Sequence, residues 1–134
     1  MKCAISRALL ERLLRDADAA GKREICGLLI REEGLVVEAV SVRNVAADPE
    51  RGFEFDPLVH IAASRTARLA GSRIIGHYHS HPGGNPVPSS IDAGRAEEQD
   101  TYWLILGGGA ARLWLSRSGG TVLGAFEPVE LDIL

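Results

Sequence analysis

The chain has 134 residues, of which 46% are apolar and 25% charged, and its formal net charge is −3. That length bounds it to one domain, residues 1–134, with room for a proper core, and the composition excludes a disordered or low-complexity chain. Arginines and acidic residues are scattered with no basic stripe, which argues against nucleic acid, and Arg7, Glu11 and Arg12 interrupt the apolar stretch over 4–14, which argues against a signal peptide or membrane span, so a cytoplasmic protein is expected.

Residues 2–5 read as a short strand leading into an amphipathic helix over 6–19, with Leu9, Leu10, Leu13 and Leu14 on one face and Gly21 at its end. Residues 24–31 and 35–45 read as a hairpin around Glu32-Glu33-Gly34. A polar loop over 46–51 gives way to a short strand at 53–55, and a second helix starts at Asp56 or Pro57 and runs to Leu69. Residues 72–80 run apolar into His77, Tyr78 and His79, a buried strand that Pro82 stops. Gly83-Gly84-Asn85-Pro86-Val87-Pro88 has the composition of a tight loop, and a third helix is expected from Ser89 to Gln99.

Three strands, at 101–106, 111–116 and 121–131, close the chain, with Gly107-Gly108-Gly109 and Ser118-Gly119-Gly120 as hairpin turns rather than phosphate loops. This order gives an α/β sheet with about three helices packed against it. Trp103 and Trp114 read as core residues. The two cysteines, Cys3 and Cys26, lie in apolar strand-like settings and read as buried, inert thiols.

The chemistry concentrates in His79-Ser80-His81-Pro82, followed after six residues by Ser89-Ser90-Ile91-Asp92. Strand side chains alternate, so His79 and His81 leave the same face with Cα atoms roughly 6.5 Å apart, close enough for both rings to reach one ion. Ser89-x-x-Asp92 has the form of a helix cap, which puts Asp92 at the third helical position, near the positive end of the helix dipole, where the ionised carboxylate is favoured. Two neutral imidazoles and a carboxylate make three ligands, and a tetrahedral zinc then keeps a fourth position for water. Any one of these residues alone would read as an ordinary core histidine or helix cap. Together they read as a catalytic zinc site, since the chain has no CxxC pairs of the kind that close a structural one.

That string, together with Glu24-Ile25-Cys26-Gly27-Leu28-Leu29 upstream and Gly52-Phe53-Glu54-Phe55-Asp56-Pro57 in the middle, resembles the JAMM/MPN+ family of zinc isopeptidases, especially its small prokaryotic members. The resemblance implies a single-domain MPN fold of the cytidine-deaminase-like type, a curved and mostly antiparallel sheet with about three helices. It also implies one zinc ion held by His79, His81 and Asp92, Glu24 as the general base acting on the activated water, and Ser89 steadying the oxyanion. Spacing alone does not single out Glu24, which follows Lys22 and Arg23 and would pass for a solvated, paired carboxylate. The substrates implied are peptide or isopeptide bonds after the Gly-Gly tail of a ubiquitin-like or sulfur-carrier protein, the tail binding as an extended strand on a sheet edge.

Two features depart from the family pattern. His77 shares a strand face with His79 and His81, but it lies four residues from His81, about 13 Å along a strand, so it is expected to be a core histidine hydrogen-bonded to a neighbour. The paired Gly83-Gly84 implies a mobile loop beside the metal. Two other functions compete: a non-catalytic MPN scaffold, which the full set Glu24, His79, His81, Ser89 and Asp92 disfavours, and a zinc amidohydrolase of a small metabolite. There is no HExxH for a zincin and no PCxxC for a nucleoside deaminase.

Overall fold

The structure, a computed structural model, describes residues 2–134, with Val37 by its backbone alone. Strand β1 (Lys2–Ile5) leads into helix α1 (Arg7–Ala19), which Ser6 caps by accepting the Leu9 N–H at 3.1 Å. The hairpin of β2 (Cys26–Glu32) and β3 (Leu35–Val42) turns through Glu33 and Gly34, both at positive φ. Helix α2 (Pro57–Leu69), capped by Asp56, precedes β4 (Arg73–Ser80), and the short α3 (Ser90–Arg95) precedes β5 (Tyr102–Gly107), β6 (Ala110–Gly120) and β7 (Gly124–Ile133).

The strands run in the order β1-β3-β2-β4-β5-β6-β7 and close into a barrel, because β1 pairs in parallel with both β3 and β7. Antiparallel pairings hold β2 to β3 and β4, and β6 to β5 and β7, while β4 and β5 are parallel. The closure between β1 and β3 rests on two residue pairs, Ala4 with Leu35 and Ile5 with Val36.

Alternation along β4 and β5 divides the core. Tyr78, Leu104 and Leu106 face α1 with Leu9, Leu10 and Leu13. Trp103 and Ile105 face the other way, with Cys26, Phe53, Trp114 and Phe126. His77 and His79 share this second face, their rings 4.3 and 5.8 Å from that of Trp103. Both Trp103 and Trp114 are buried, as are the free thiols of Cys3 and Cys26. Burial, then the nearby Glu24 carboxylate, pushes the Cys26 thiol up to about 12, which keeps it inert.

Three elements differ from the sequence reading. Residues 53–55 form an isolated bridge, Asn44 to Phe55, because the Asn44 side chain takes the Gly52 carbonyl and the Glu54 N–H that a ladder would use. Helix α3 stops at Arg95, and residues 98–100 instead tie to β6, where the Ser116 hydroxyl donates to the Glu98 carbonyl at 2.6 Å and the Asp100 N–H to the Ser116 carbonyl at 2.8 Å. The last turn lies over residues 121–123: a Cβ on Gly120 would stand 2.5 Å from the Phe126 carbonyl, so that glycine serves strand pairing, while the Glu127 carboxylate accepts the Thr121 N–H and hydroxyl across the turn.

Candidate metal centre and its cleft

The end of β4 and the start of α3 bring three donors to one point. His79 Nε2 lies 3.0 Å from His81 Nε2 and 3.2 Å from Asp92 Oδ1, and His81 Nε2 lies 3.1 Å from Asp92 Oδ2. Tetrahedral zinc with ligands at about 2.0–2.1 Å requires donor separations of about 3.3 Å, and each of the three contacts lies within a few tenths of an ångström of that, the two imidazoles meeting different oxygens of the one carboxylate.

The hydrogen bonds around the triangle support the same fit. A carbonyl can only accept, so the contact of His81 Nδ1 with the Asn85 carbonyl at 3.0 Å puts a proton on Nδ1. Nε2 is then the atom that meets the carboxylate and the second imidazole, and a ring whose other N–H goes to a backbone carbonyl has the form that metal-ligating histidines usually take.

Asp92 is buried and its carboxylate opposes its own burial successfully. Hydrogen bonds from His79, His81 and the Ser89 N–H hold it well below the usual carboxylate range. Burial lowers the fully enclosed His79, and this outweighs the carboxylate. In His81 burial also acts downward, but the Asp92 and Asn85 contacts prevail and raise it. His79 is held by packing: its ring stacks on Phe53 at 4.5 Å and 25°, and its Nδ1 has no hydrogen-bond partner among the described residues.

Glu24 precedes β2 rather than lying in it, and it is 7% exposed. One of its carboxylate oxygens and a nitrogen from each of His79 and His81 all lie within 4.8 Å of one another, so these three could also share an ion. Burial, with the Asp92 charge adding to it against His81 and Arg95, raises its carboxyl to about 7. Ser80, between the two imidazoles, fixes this approach by accepting the Ile25 N–H on its hydroxyl at 2.9 Å and donating its own N–H to the Ile25 carbonyl at 3.1 Å.

Ser89 caps α3. Its hydroxyl accepts the Asp92 N–H at 3.1 Å and Asp92 Oδ2 accepts the Ser89 N–H at 2.9 Å, so the cap aims the carboxylate. The loop between His81 and Ser89 is tied by the Gly84 N–H to the His81 carbonyl, by His81 to Asn85, and by the Trp114 N–H to the Pro86 carbonyl. Those ties oppose the mobility expected of Gly83-Gly84, and Gly83 at φ 70° serves the turn.

His77 departs from expectation as well. It is packed among Phe53, Phe55 and Trp103 at centroid distances of 5.6, 5.5 and 4.3 Å, and its Nδ1 has no hydrogen-bond partner among the described residues. Burial, with His79 adding to it, lowers it to about 3, so the ring is a neutral member of an aromatic cluster.

The centre opens into a cleft of about 350 Å³ whose lining includes Glu24, Gly52, Phe53, His81, Ser89 and Ile91. Sequence reasoning missed Phe53 and Arg95. The Arg95 guanidinium donates to the Phe53 carbonyl across the cleft, joining α3 to the segment that carries the stacked ring. Arg95 falls inside the helix expected from Ser89 to Gln99, where nothing in the sequence named a partner for it.

A profile described as prokaryotic homologs of the JAB domain matches residues 6–117. The chain is 38% identical over 84 residues to a desampylase of Haloferax volcanii, the match covering 61% of this chain and 60% of that one. It is 31% identical over 122 residues to a probable TtuB-protein conjugate cleaving protease of Thermus thermophilus, covering 88% and 78%. The match thus spans about 60% of the length of the desampylase. The fold agrees with the solution structure of a Desulfitobacterium hafniense protein at a TM-score of 0.83 and 23% identity, over 98% of this chain and 92% of that one.

Proposed function

Because the chain belongs to the prokaryotic homologs of the JAB domain, we propose that it is a zinc-dependent hydrolase. In this reading it cleaves the peptide or isopeptide bond after the Gly-Gly tail of a ubiquitin-like or sulfur-carrier protein. The observation that carries the reading is the convergence of His79, His81 and Asp92, at 3.0–3.2 Å, inside a cleft that also holds a buried carboxylate. The relatives, named for removing such proteins from conjugates, support the substrate class.

His79, His81 and Asp92 would hold one zinc ion, which when bound would supply a Lewis acid and a water acidified toward neutrality. Glu24, its carboxyl raised to about 7, would carry a proton from the attacking water to the leaving amine. The Ser89 hydroxyl accepts the Asp92 N–H through a lone pair and keeps its O–H to donate to the developing oxyanion. A tail entering the cleft would pass Gly52 and Gly84, which line it, and glycines in the tail would present no side chain to its walls. A cytoplasmic setting belongs to the same reading, with which the two free, buried thiols accord.

The test is zinc content measured together with cleavage of a panel of Gly-Gly-tailed adducts. Stoichiometric zinc and cleavage that is lost when the penultimate Gly is replaced by a bulky residue is the expected result. Zinc without cleavage of any adduct would move the assignment to a small amidated metabolite, and no zinc at all would leave a scaffold.

A further inference from the structure

Asn44 lies outside every motif the sequence displays, yet its side chain is the most connected polar group beside the cleft. Its amide nitrogen donates to the Glu24 carbonyl at 2.9 Å and to the Gly52 carbonyl at 3.0 Å. Its amide oxygen accepts the Ala46 N–H at 3.0 Å and the Glu54 N–H at 3.1 Å. Two carbonyls meet one end and two N–H groups the other, so the orientation of the amide is set by its partners, and both donors and both acceptor sites are used. No other side chain of this reach carries two donors and an acceptor in that arrangement: Asp lacks the donors, Ser is too short, and Gln is one methylene too long.

We propose that Asn44 is a positioning residue for Glu24, locking the main chain that carries the proton-transferring carboxylate to the wall of the substrate cleft. The inference rests on the reading of Glu24 as the proton carrier. Glu24 follows a loop, and with β2 beginning only at Cys26 the sheet ladder does not hold it. Its N–H goes to the Pro49 carbonyl at 2.8 Å and its carbonyl to Asn44, so one residue within the 46–51 loop and one just before it fix it from both ends. The same amide holds Gly52 and Glu54, and between them Phe53 presents the ring that stacks on His79. One side chain therefore sets the spacing between the proton carrier and the wall that holds an imidazole of the centre. A misplacement of about 1 Å at a reacting group is enough to cost on the order of 100-fold in rate.

Two variants separate this role from simple support of the loop. Asn44→Asp keeps an oxygen for the Ala46 and Glu54 N–H groups and loses both donors, whereas Asn44→Ala loses all four bonds. The readouts are amide hydrogen exchange at Glu24, Ala46 and Glu54, zinc stoichiometry, and kcat and KM on a Gly-Gly-tailed adduct. In Asn44→Asp the Ala46 and Glu54 amides are expected to stay protected, while the Glu24 amide, whose own bond is to the Pro49 carbonyl, exchanges at least about 10-fold faster because the main chain that carries it is no longer held at its carbonyl. Zinc should remain stoichiometric, and turnover should fall roughly 10- to 100-fold, mostly in kcat.

Unchanged protection at Glu24 in Asn44→Asp, or wild-type kcat in that variant, would overturn the proposal. So would loss of zinc together with turnover, since Asn44 would then be supporting the whole centre. If the wild-type protein cleaves no tailed adduct, the functional reading fails by itself, and exchange at Glu24 still decides whether Asn44 holds it.

Discussion

Ser89 and Asp92 cap each other: the hydroxyl of one accepts the amide of the other at 3.1 Å, while the carboxylate returns the contact at 2.9 Å. The carboxylate that ends this reciprocal cap is also the one that faces His79 and His81. A stability device and a proposed ligand are thus one group, and Ser89→Ala is expected to show both. Loss of the cap should cost about 1 kcal/mol, read as a lowered melting temperature, and loss of the oxyanion donor should reduce kcat roughly 100-fold. A variant that melts earlier and turns over normally would leave Ser89 as a cap alone.

Glu24→Gln and Asp92→Asn should part company. Both swaps preserve shape, and Asn at position 92 can still accept the Ser89 N–H. With Glu24 as proton carrier, Glu24→Gln keeps stoichiometric zinc and loses about 100- to 10,000-fold in turnover. Asp92→Asn loses the charge that faces the imidazoles, and zinc affinity should fall by at least about 100-fold, beyond the range typical of outer-shell partners. Zinc titration and single-turnover kinetics on the two variants check this, and zinc lost from Glu24→Gln would instead make that carboxylate a ligand.

Gly76→Ala tests the joint between β4 and β5. A Cβ there would sit 1.9 Å from the Tyr102 carbonyl, at the first pair of a parallel ladder that carries His77 and His79. No flexible side-chain end is there to give way, so the strands must part. Several kcal/mol of destabilisation is expected, on the scale of severe overpacking, together with loss of zinc binding, seen in denaturant melts and metal analysis.

His77 sets an acid sensitivity. Its folded pKa is about 3 against an ordinary value of 6.5, so below pH 6.5 the unfolded chain takes up the proton first. The stability it contributes is fully present above pH 6.5 and is lost as pH falls toward 3. At pH 5 that loss amounts to about 2 kcal/mol. His77→Phe keeps the aromatic packing and removes the proton, so its urea midpoint measured without metal should fall less between pH 7 and 5 than that of the wild type. Equal slopes would show that His77 does not titrate in this window.

Local patterns decided much of this molecule. Ser6, Asp56 and Ser89 stand at the starts of their helices because a side-chain oxygen followed by helix-forming residues satisfies the first free N–H groups wherever it occurs. The strand period put His79 and His81 on one face, and the Ser89-x-x-Asp92 spacing aimed the carboxylate along the helix start. These are interactions within a few residues of one another, and their geometry travels with the sequence.

What only the tertiary structure decided depends on residues far apart in the chain. Closure of the barrel requires β1 to find both β3 and β7, partners some 30 and 130 positions away in the numbering, with no local signature. The stop of α3 at Arg95 follows from Ser116 competing for residues 98 and 100. The stack of Phe53 on His79, the reach of Arg95 to the Phe53 carbonyl and the four bonds of Asn44 each join segments that propensity treats as unrelated. A side chain's hydrogen-bonding capacity can be read from its identity, but which carbonyl stands in front of it is set by long-range packing.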